Sequence, residues 1–298
     1  MQEVTILEHM EKFLQYCEFF RNYSPYTLNG YRSNLGCFLK HSKLRYPSQL
    51  NKEIFEQWLM NGRLKRKWSA ATFLHKHKYW NVFLAWMVKE EIIEENFVVD
   101  IEKPRLEHRI PRTLTKEQAR LVLDAAFHRP YAYRFEKYRN RAIVAVMLLA
   151  GLRRKKVMQL KLNDVSFETK TLFIQQGKGN KDRMIPMNAK LIQILNEYMR
   201  DRRRLKKQNM YFFVSVQNDN QIQEKCIARL FIKLRASTKL DFSPHTLRHA
   251  FARLMLEGGC DIYTLSRLMG HSKITTTAIY LSCSNQQMTQ AVEMHSLN

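Results

Sequence analysis

In a chain of 298 residues, one stretch alternates apolar and polar side chains with the period of a strand. It is KTLFIQQGKGNKDRMIPM, residues 170–187. Two alternating runs, Leu172–Gln176 and Arg183–Met187, flank the Gly-rich turn GKGNK, which predicts a β-hairpin. The other periodic segments repeat their apolar residues at helical spacing. The expected fold is therefore mainly α, with a small hairpin or sheet set into a helical domain.

Residues 1–99 read as all helix. TILEHMEKFLQYCEFF places Ile6, Met10, Phe13, Leu14 and Cys17 at helical intervals. Ser24-Pro25 opens a second helix, NKEIFEQWLMN is a third, and Ser69 opens a long fourth, SAATFLHKHKYWNVFLAWMVKEE. Residues 100–115, DIEKPRLEHRIPRTLT, hold two prolines and no apolar period, and read as an interdomain linker. Thr115, followed by Gln118, resembles a capping box that starts a second domain at 116–298. In it, helices are predicted at 188–207, about 223–236, 244–257 and 261–269, with a last one from Ser272.

The charge balance narrows the partner. Fifty Lys and Arg stand against 27 Asp and Glu, a formal +23. The basic residues are interleaved with Phe, Tyr, Leu and Met, so the folded surface itself must be basic, the footprint of a nucleic-acid binder. Arg63, Lys65, Arg66 and Lys67 form a basic loop ahead of the fourth helix, whose polar side carries His75, Lys76 and Lys78. The run MRDRRRLKK (199–207) reads equally as a solvated helix face or as a phosphate-tracking one. No window approaches about 18 apolar residues, which predicts no membrane span. The N-terminal MQEVTILEHMEKF lacks the basic-then-apolar layout of a secretory signal. Five widely spaced cysteines without CxxC point to a reducing compartment, and with the charge to a cytoplasmic, nucleoid-associated protein.

The chemistry concentrates near SPHTLRHAFA (243–252). Ser243 is a helix N-cap and Pro244 a first-turn proline, yet His245, Arg248 and His249 follow at once. A helix N-terminus repels cations, so a bound anion is the natural reason for them. The His245/His249 spacing resembles a zinc helix, but Thr246 stands where the zincin glutamate would be, and no further ligand cluster is evident. No metal and no cofactor are expected. In LSRLMGHSKITTTAIYL (265–281), Gly270 reads as a helix-ending glycine, His271 as a turn residue, and Tyr280 as lying two turns into the last helix. Arg153 stands at the helix start after AGL, and Lys178 at the tip of the hairpin turn.

Taken in order, GLR, GKG in a hairpin, HTLRH, GH and a Tyr nine residues on resemble the tyrosine recombinases, the phage integrase family. SPYTLNGYRSNLGCFLKH and the SAATFLHKHKYWNVFLAWMV helix are similar to that family's core-binding domain, so the likeness spans nearly the whole chain. The layout is like that of the simple Xer-type members, with no arm-binding domain ahead of it. The resemblance implies a two-domain clamp on duplex DNA, and tetramers that exchange strands between two sites through a Holliday junction. It implies Tyr280 as a nucleophile that forms a 3′-phosphotyrosine, and Arg153 and Arg248 as a clamp on the scissile phosphate. It further implies Lys178 as acid toward the departing 5′-oxygen, His245 as base toward the tyrosine, and His271 as a phosphate hydrogen-bond donor. Tyr31, Arg32, Lys65, Arg66, Lys67, Lys76 and Lys78 are the expected DNA contacts of the first domain. The tail, about 285–298, is expected to dock into a neighbouring protomer as a helix.

The chain departs from the family pattern at three places. Lys156 stands where the family usually has an acidic residue, Asn96-Phe97 replaces Asn-Pro, and Leu281-Ser282 replaces Thr-His. Lys156 keeps open the alternative of a catalytically weakened accessory DNA-binding factor of the same fold. A type IB topoisomerase-like enzyme is the other alternative, since it shares the tyrosine chemistry.

Overall fold

The structure is a computed structural model that describes residues 3–106, 112–175, 182–271, 273–280 and 293. The chain divides into two compact units, 1–109 and 110–298.

The first unit is built of four helices: α1 (Ile6–Phe19), α2 (Pro25–Ser42), α3 (Lys52–Leu64) and α4 (Ala70–Lys89). Each starts where the sequence places a cap. Thr5 and Glu8 form a reciprocal capping box, and Ser24, Asn51 and Ser69 each accept a backbone N–H from the first turn. The core is aromatic. Phe38 packs on Phe55, Trp58 and Trp80, with ring centroids 4.7–5.2 Å apart and edges turned to faces. Gly62 is required here, since a Cβ would fall 2.1 Å from the Trp68 ring. Ile101 is buried in this core, whereas Leu114 is buried in that of the second unit. Within the expected linker, residues 107–111 lie outside the described ones.

The second unit is organised around α6 (Arg134–Leu149), whose residues Ala142–Leu148 are all buried, as a helix enclosed on every side must be. α5 (Lys116–His128), opened by the Thr115/Gln118 capping box, packs on it. So do α8 (Ala189–Arg204) and α10 (Pro244–Glu257). α7 (Arg154–Gln159), α9 (Glu224–Thr238), α11 (Ile262–Met269) and the four-residue α12 (Thr275–Ala278) complete the helices.

The predicted hairpin pairs β2 (Thr171–Ile174) with β3 (Arg183–Pro186), Leu172 facing Ile185 and Ile174 facing Arg183. A strand the periodicity did not reveal, β1 (Val165–Ser166), adds to β2 and makes a three-stranded antiparallel sheet. Two residues are too short to carry an alternation signal.

The last helix differs from expectation. α12 ends at Ala278, so Tyr280 stands in the turn beyond it, its N–H donating to the Thr277 carbonyl at 3.1 Å. Ser272, its expected cap, lies outside the described residues. The basic run at 199–207 is partly turned inward. Arg202 is buried, donating to the carbonyls of Lys207, Asn209 and Tyr211, so it holds a loop rather than a phosphate. Arg204 instead pairs with Asp201.

Candidate active site

The site grows from the start of α10. The Ser243 hydroxyl accepts the Thr246 N–H, and Leu247, Ala250 and Phe251 turn one face into apolar packing. Arg248 is drawn in with them, at 4 % exposure. A buried guanidinium needs acceptors, and Arg248 finds backbone carbonyls: Nη1 donates to Gly151 and Nη2 to Met269 at 2.6 Å. Both acceptors exist because a helix ends there. Gly151 follows α6 with φ of +63°, and Gly270 closes α11 with φ of +63°, leaving the last-turn carbonyls without helical donors. A Cβ at 151 would fall 2.4 Å from Phe251, and one at 270 would fall 2.5 Å from Arg183 Nη1.

Around Arg248 the other groups gather. His271 Nε2 lies 3.2 Å from Arg248 Nη2, and its Nδ1 lies 2.8 Å from the hydroxyl of buried Thr277. Arg183 Nε donates to the Leu268 carbonyl at 3.0 Å, while its buried Nη2 has no hydrogen-bond partner among the described residues. Burial, then Arg153 and Arg183, push the Arg248 guanidinium down to about 9. Burial, then Arg153, push Arg183 down to about 10. Burial also lowers Arg153, which Tyr280 opposes. Arg183 and Arg248 thus stay charged at neutral pH. Among the described residues no carboxylate pairs with Arg153, Arg183 or Arg248. Such a cluster is complementary to an anion.

Tyr280 packs against the small apolar cluster formed by Phe251, Ala252, Leu265 and Met269. Burial raises its phenol, and Arg248 and Arg153 pull it back down. The imidazole that meets the hydroxyl is His249, with Nδ1 2.5 Å from Oη; His245 makes no hydrogen bond to Tyr280. The two histidines share a face of α10 one turn apart, and the chain brings Tyr280 to the second turn, not the first. His245 is exposed, lowered by desolvation and then by Arg248, Arg153 and Arg154.

Two functional neighbours were missed in the sequence, Arg183 and His249. Arg183 shares the strand face of buried Ile185, and that period-two signal could have flagged it. Lys178 lies outside the described residues. Lys156, on α7, donates to the Gln175 carbonyl at 2.8 Å, at the base of the hairpin turn. Burial lowers its ammonium, as do Lys155, Arg183 and Arg153, with Asp182 opposing.

In the first unit the expected DNA contacts separate. Tyr31 is buried, its ring edge-on to Phe13 and Tyr79, which makes it a core residue and removes it from any DNA-facing surface. Its helical spacing from Leu28 and Leu35 sets it on the apolar side of α2, and the aromatic core claims it. Arg32 is exposed but pairs with Glu11 at 2.8 Å. Lys65, Arg66, Lys67 and Lys78 are exposed, and Arg66 and Lys76 lie over the Trp68 ring at 6.0 and 5.6 Å.

Among the described residues no His/Cys/Asp/Glu group is arranged to hold a metal ion. No helix among them is long and apolar enough to cross a membrane.

Residues 112–287 match the phage integrase family, and residues 9–94 match the phage integrase N-terminal SAM-like domain. A tyrosine recombinase of Thermosipho africanus is 27% identical over 289 residues, covering 95% of this chain and 98% of its own. Tyrosine recombinase XerA of Pyrococcus horikoshii is 30% identical over 199 residues, covering 66% of each chain. Two solved structures share the fold. The XerH site-specific recombinase on palindromic difH substrate, a post-cleavage complex, has a TM-score of 0.73 at 19% identity, covering 96% of this chain and 83% of that one. The Tn1549 transposon integrase with transposon right-end DNA has a TM-score of 0.74 at 18% identity, covering 99% and 100%.

Proposed function

We propose how the reaction runs in this chain, which belongs to the phage integrase family and is a tyrosine site-specific recombinase. Tyr280 attacks a DNA phosphodiester and forms a 3′-phosphotyrosine. Arg153 and Arg248 hold the non-bridging oxygens, with His271 and His245 beside them, and Lys178 protonates the leaving 5′-oxygen. The observation that carries this reading is the carboxylate-free set of arginines around Arg248, with Tyr280 at its edge. Such a set is complementary to a phosphorane carrying more negative charge than the ground state, which is where catalytic stabilisation is gained. The covalent bond keeps the energy of the broken one, so resealing needs no ATP.

Duplex DNA is the substrate. Lys65, Arg66, Lys67, Lys76 and Lys78 form its contact in the first unit, and Arg32 joins only by releasing Glu11. Recombination proceeds in a tetramer on two sites through a Holliday junction, coupled by the tail at 285–298. That tail lies outside the described residues except Glu293.

Two results are expected here. Affinity for the site should fall steeply with salt, about 10³-fold or more between roughly 50 and 200 mM if about six phosphates are contacted. A flat response in a filter-binding or anisotropy titration would argue against this contact. Lys156→Glu should speed covalent capture severalfold on a nicked suicide substrate, because it replaces an ammonium crowded by Arg153 and Arg183 with their counter-charge. A slower variant would show that the Lys156 contact with Gln175 is itself needed for cleavage, and no capture by the parent chain would favour the accessory-factor reading.

A further inference from the structure

The resemblance assigned the tyrosine's proton to His245, but the group in place to take it stands one helical turn further on. His249 Nδ1 lies 2.5 Å from Tyr280 Oη, with ring centroids 5.4 Å apart at an interplanar angle of 51°. The distance is that of a short, strong hydrogen bond. Nδ1 is the one ring nitrogen this contact uses, so a neutral imidazole protonated at Nε2 accepts there. We propose that His249 is the catalytic base of strand cleavage, taking the Tyr280 proton at Nδ1 as the phenol oxygen attacks phosphorus. This rests on Tyr280 being the nucleophile.

The step balances. The Oη–H bond breaks and its proton forms an Nδ1–H bond, giving an imidazolium. A lone pair of Oη forms the bond to phosphorus, and the phosphorus–O5′ bond breaks with its electrons on O5′. That oxygen takes its proton from the acid assigned above. Resealing runs the same transfers backward, the imidazolium returning its proton to the departing phenol.

The surroundings suit the role. The groups facing His249 are His245 and Arg248 on α10 and Tyr280 on the segment after α12, with Arg153 acting on Tyr280 from the start of α7. Burial, then His245 and Arg248, hold the His249 imidazole below the usual histidine range, so it is neutral and able to accept at neutral pH. Arg248 and Arg153 oppose the upward push of burial on the phenol and stabilise the developing phenolate. Arg248 thus acts on both groups in the useful direction, adding to burial and His245 against protonation of the base and opposing the upward push of burial on the phenol.

The experiment is single-turnover formation of the covalent adduct on a nicked suicide substrate. It is followed from about pH 5.5 to 9.5 for the parent, His249→Ala, His249→Asn and Tyr280→Phe. Melting temperature and DNA affinity are recorded alongside to identify a variant that does not fold. The Asn carboxamide oxygen falls near the position of Nδ1 and keeps an acceptor for the hydroxyl, but it cannot carry the proton. Expected is a comparable slowing of both folded His249 variants, on the order of 10²–10⁴-fold near pH 7. Their rates should then climb tenfold per pH unit as hydroxide replaces the lost base, where the parent rate levels off. Imidazole in the buffer should restore part of the His249→Ala rate. Parent-like rates in His249→Asn would reduce His249 to orienting the hydroxyl. A slowed variant that keeps the parent's pH profile and ignores imidazole would make its role packing. Either result overturns the proposal while leaving Tyr280 as nucleophile. An adduct formed by Tyr280→Phe would instead overturn the reading on which the proposal stands.

Discussion

Tyr280→Phe is expected to bind its DNA site with parental affinity and to form no covalent adduct at all. The ring should keep its place against the apolar cluster of Phe251, Ala252, Leu265 and Met269, since the substitution removes only one oxygen. The folded state loses the hydrogen bond to His249, which is partly open to solvent and worth about 1 kcal/mol. Thermal stability should therefore change little while strand cleavage drops below detection. Denaturing gels of a labelled nicked substrate measure the first quantity and a melting curve the second. A slow residual adduct would assign the nucleophile elsewhere. A large loss of stability would mean that the hydroxyl, not the ring, anchors this end of the chain.

The second large effect is expected at Arg248, where two consequences separate by choice of variant. Arg248→Ala removes a positive charge aimed at the phosphate, and loss of one such donor slows comparable reactions about 10²–10³-fold. It also strips the Gly151 and Met269 carbonyls of their donor, so stability should fall as well. Arg248→Lys keeps the charge but cannot span two carbonyls and an imidazole with one ammonium. It should recover part of the stability and little of the rate. Parental cleavage rates in Arg248→Lys would show that charge alone suffices and that the forked geometry does not matter.

The helices of both units were largely legible, because apolar period and caps agree: Ser24, Ser69, Thr115 and Ser243 each begin a helix where the sequence places one. The hairpin was legible for the same reason, and β1 was not, having only two residues. The site was legible as an ordered set of residue types but not as a set of contacts. Nothing local distinguishes His245 from His249, which differ by one turn on the same face. What separates them is the stop of α12 at Ala278, a property of the 271–280 segment as it packs. Tyr31 failed for a related reason. Helical spacing along α2 already sets it on the apolar side with Leu28 and Leu35, but the rings that enclose it come from α1 and α4, distant in sequence. Arg183 needed the strand register, which places it opposite Ile174.

Arg183 and Arg248 are held by carbonyl dipoles, and this has a thermodynamic side. A carbonyl orients a guanidinium without neutralising it, so the empty protein bears the mutual repulsion of Arg153, Arg183 and Arg248 in a poorly solvated place. A cleaved or intact phosphodiester relieves that repulsion, and whatever binds only the folded state raises its stability by mass action. The arginine cluster is thereby expected to tighten when DNA arrives. Occupancy of the site can be followed as a rise in melting temperature, even in a chain unable to cut.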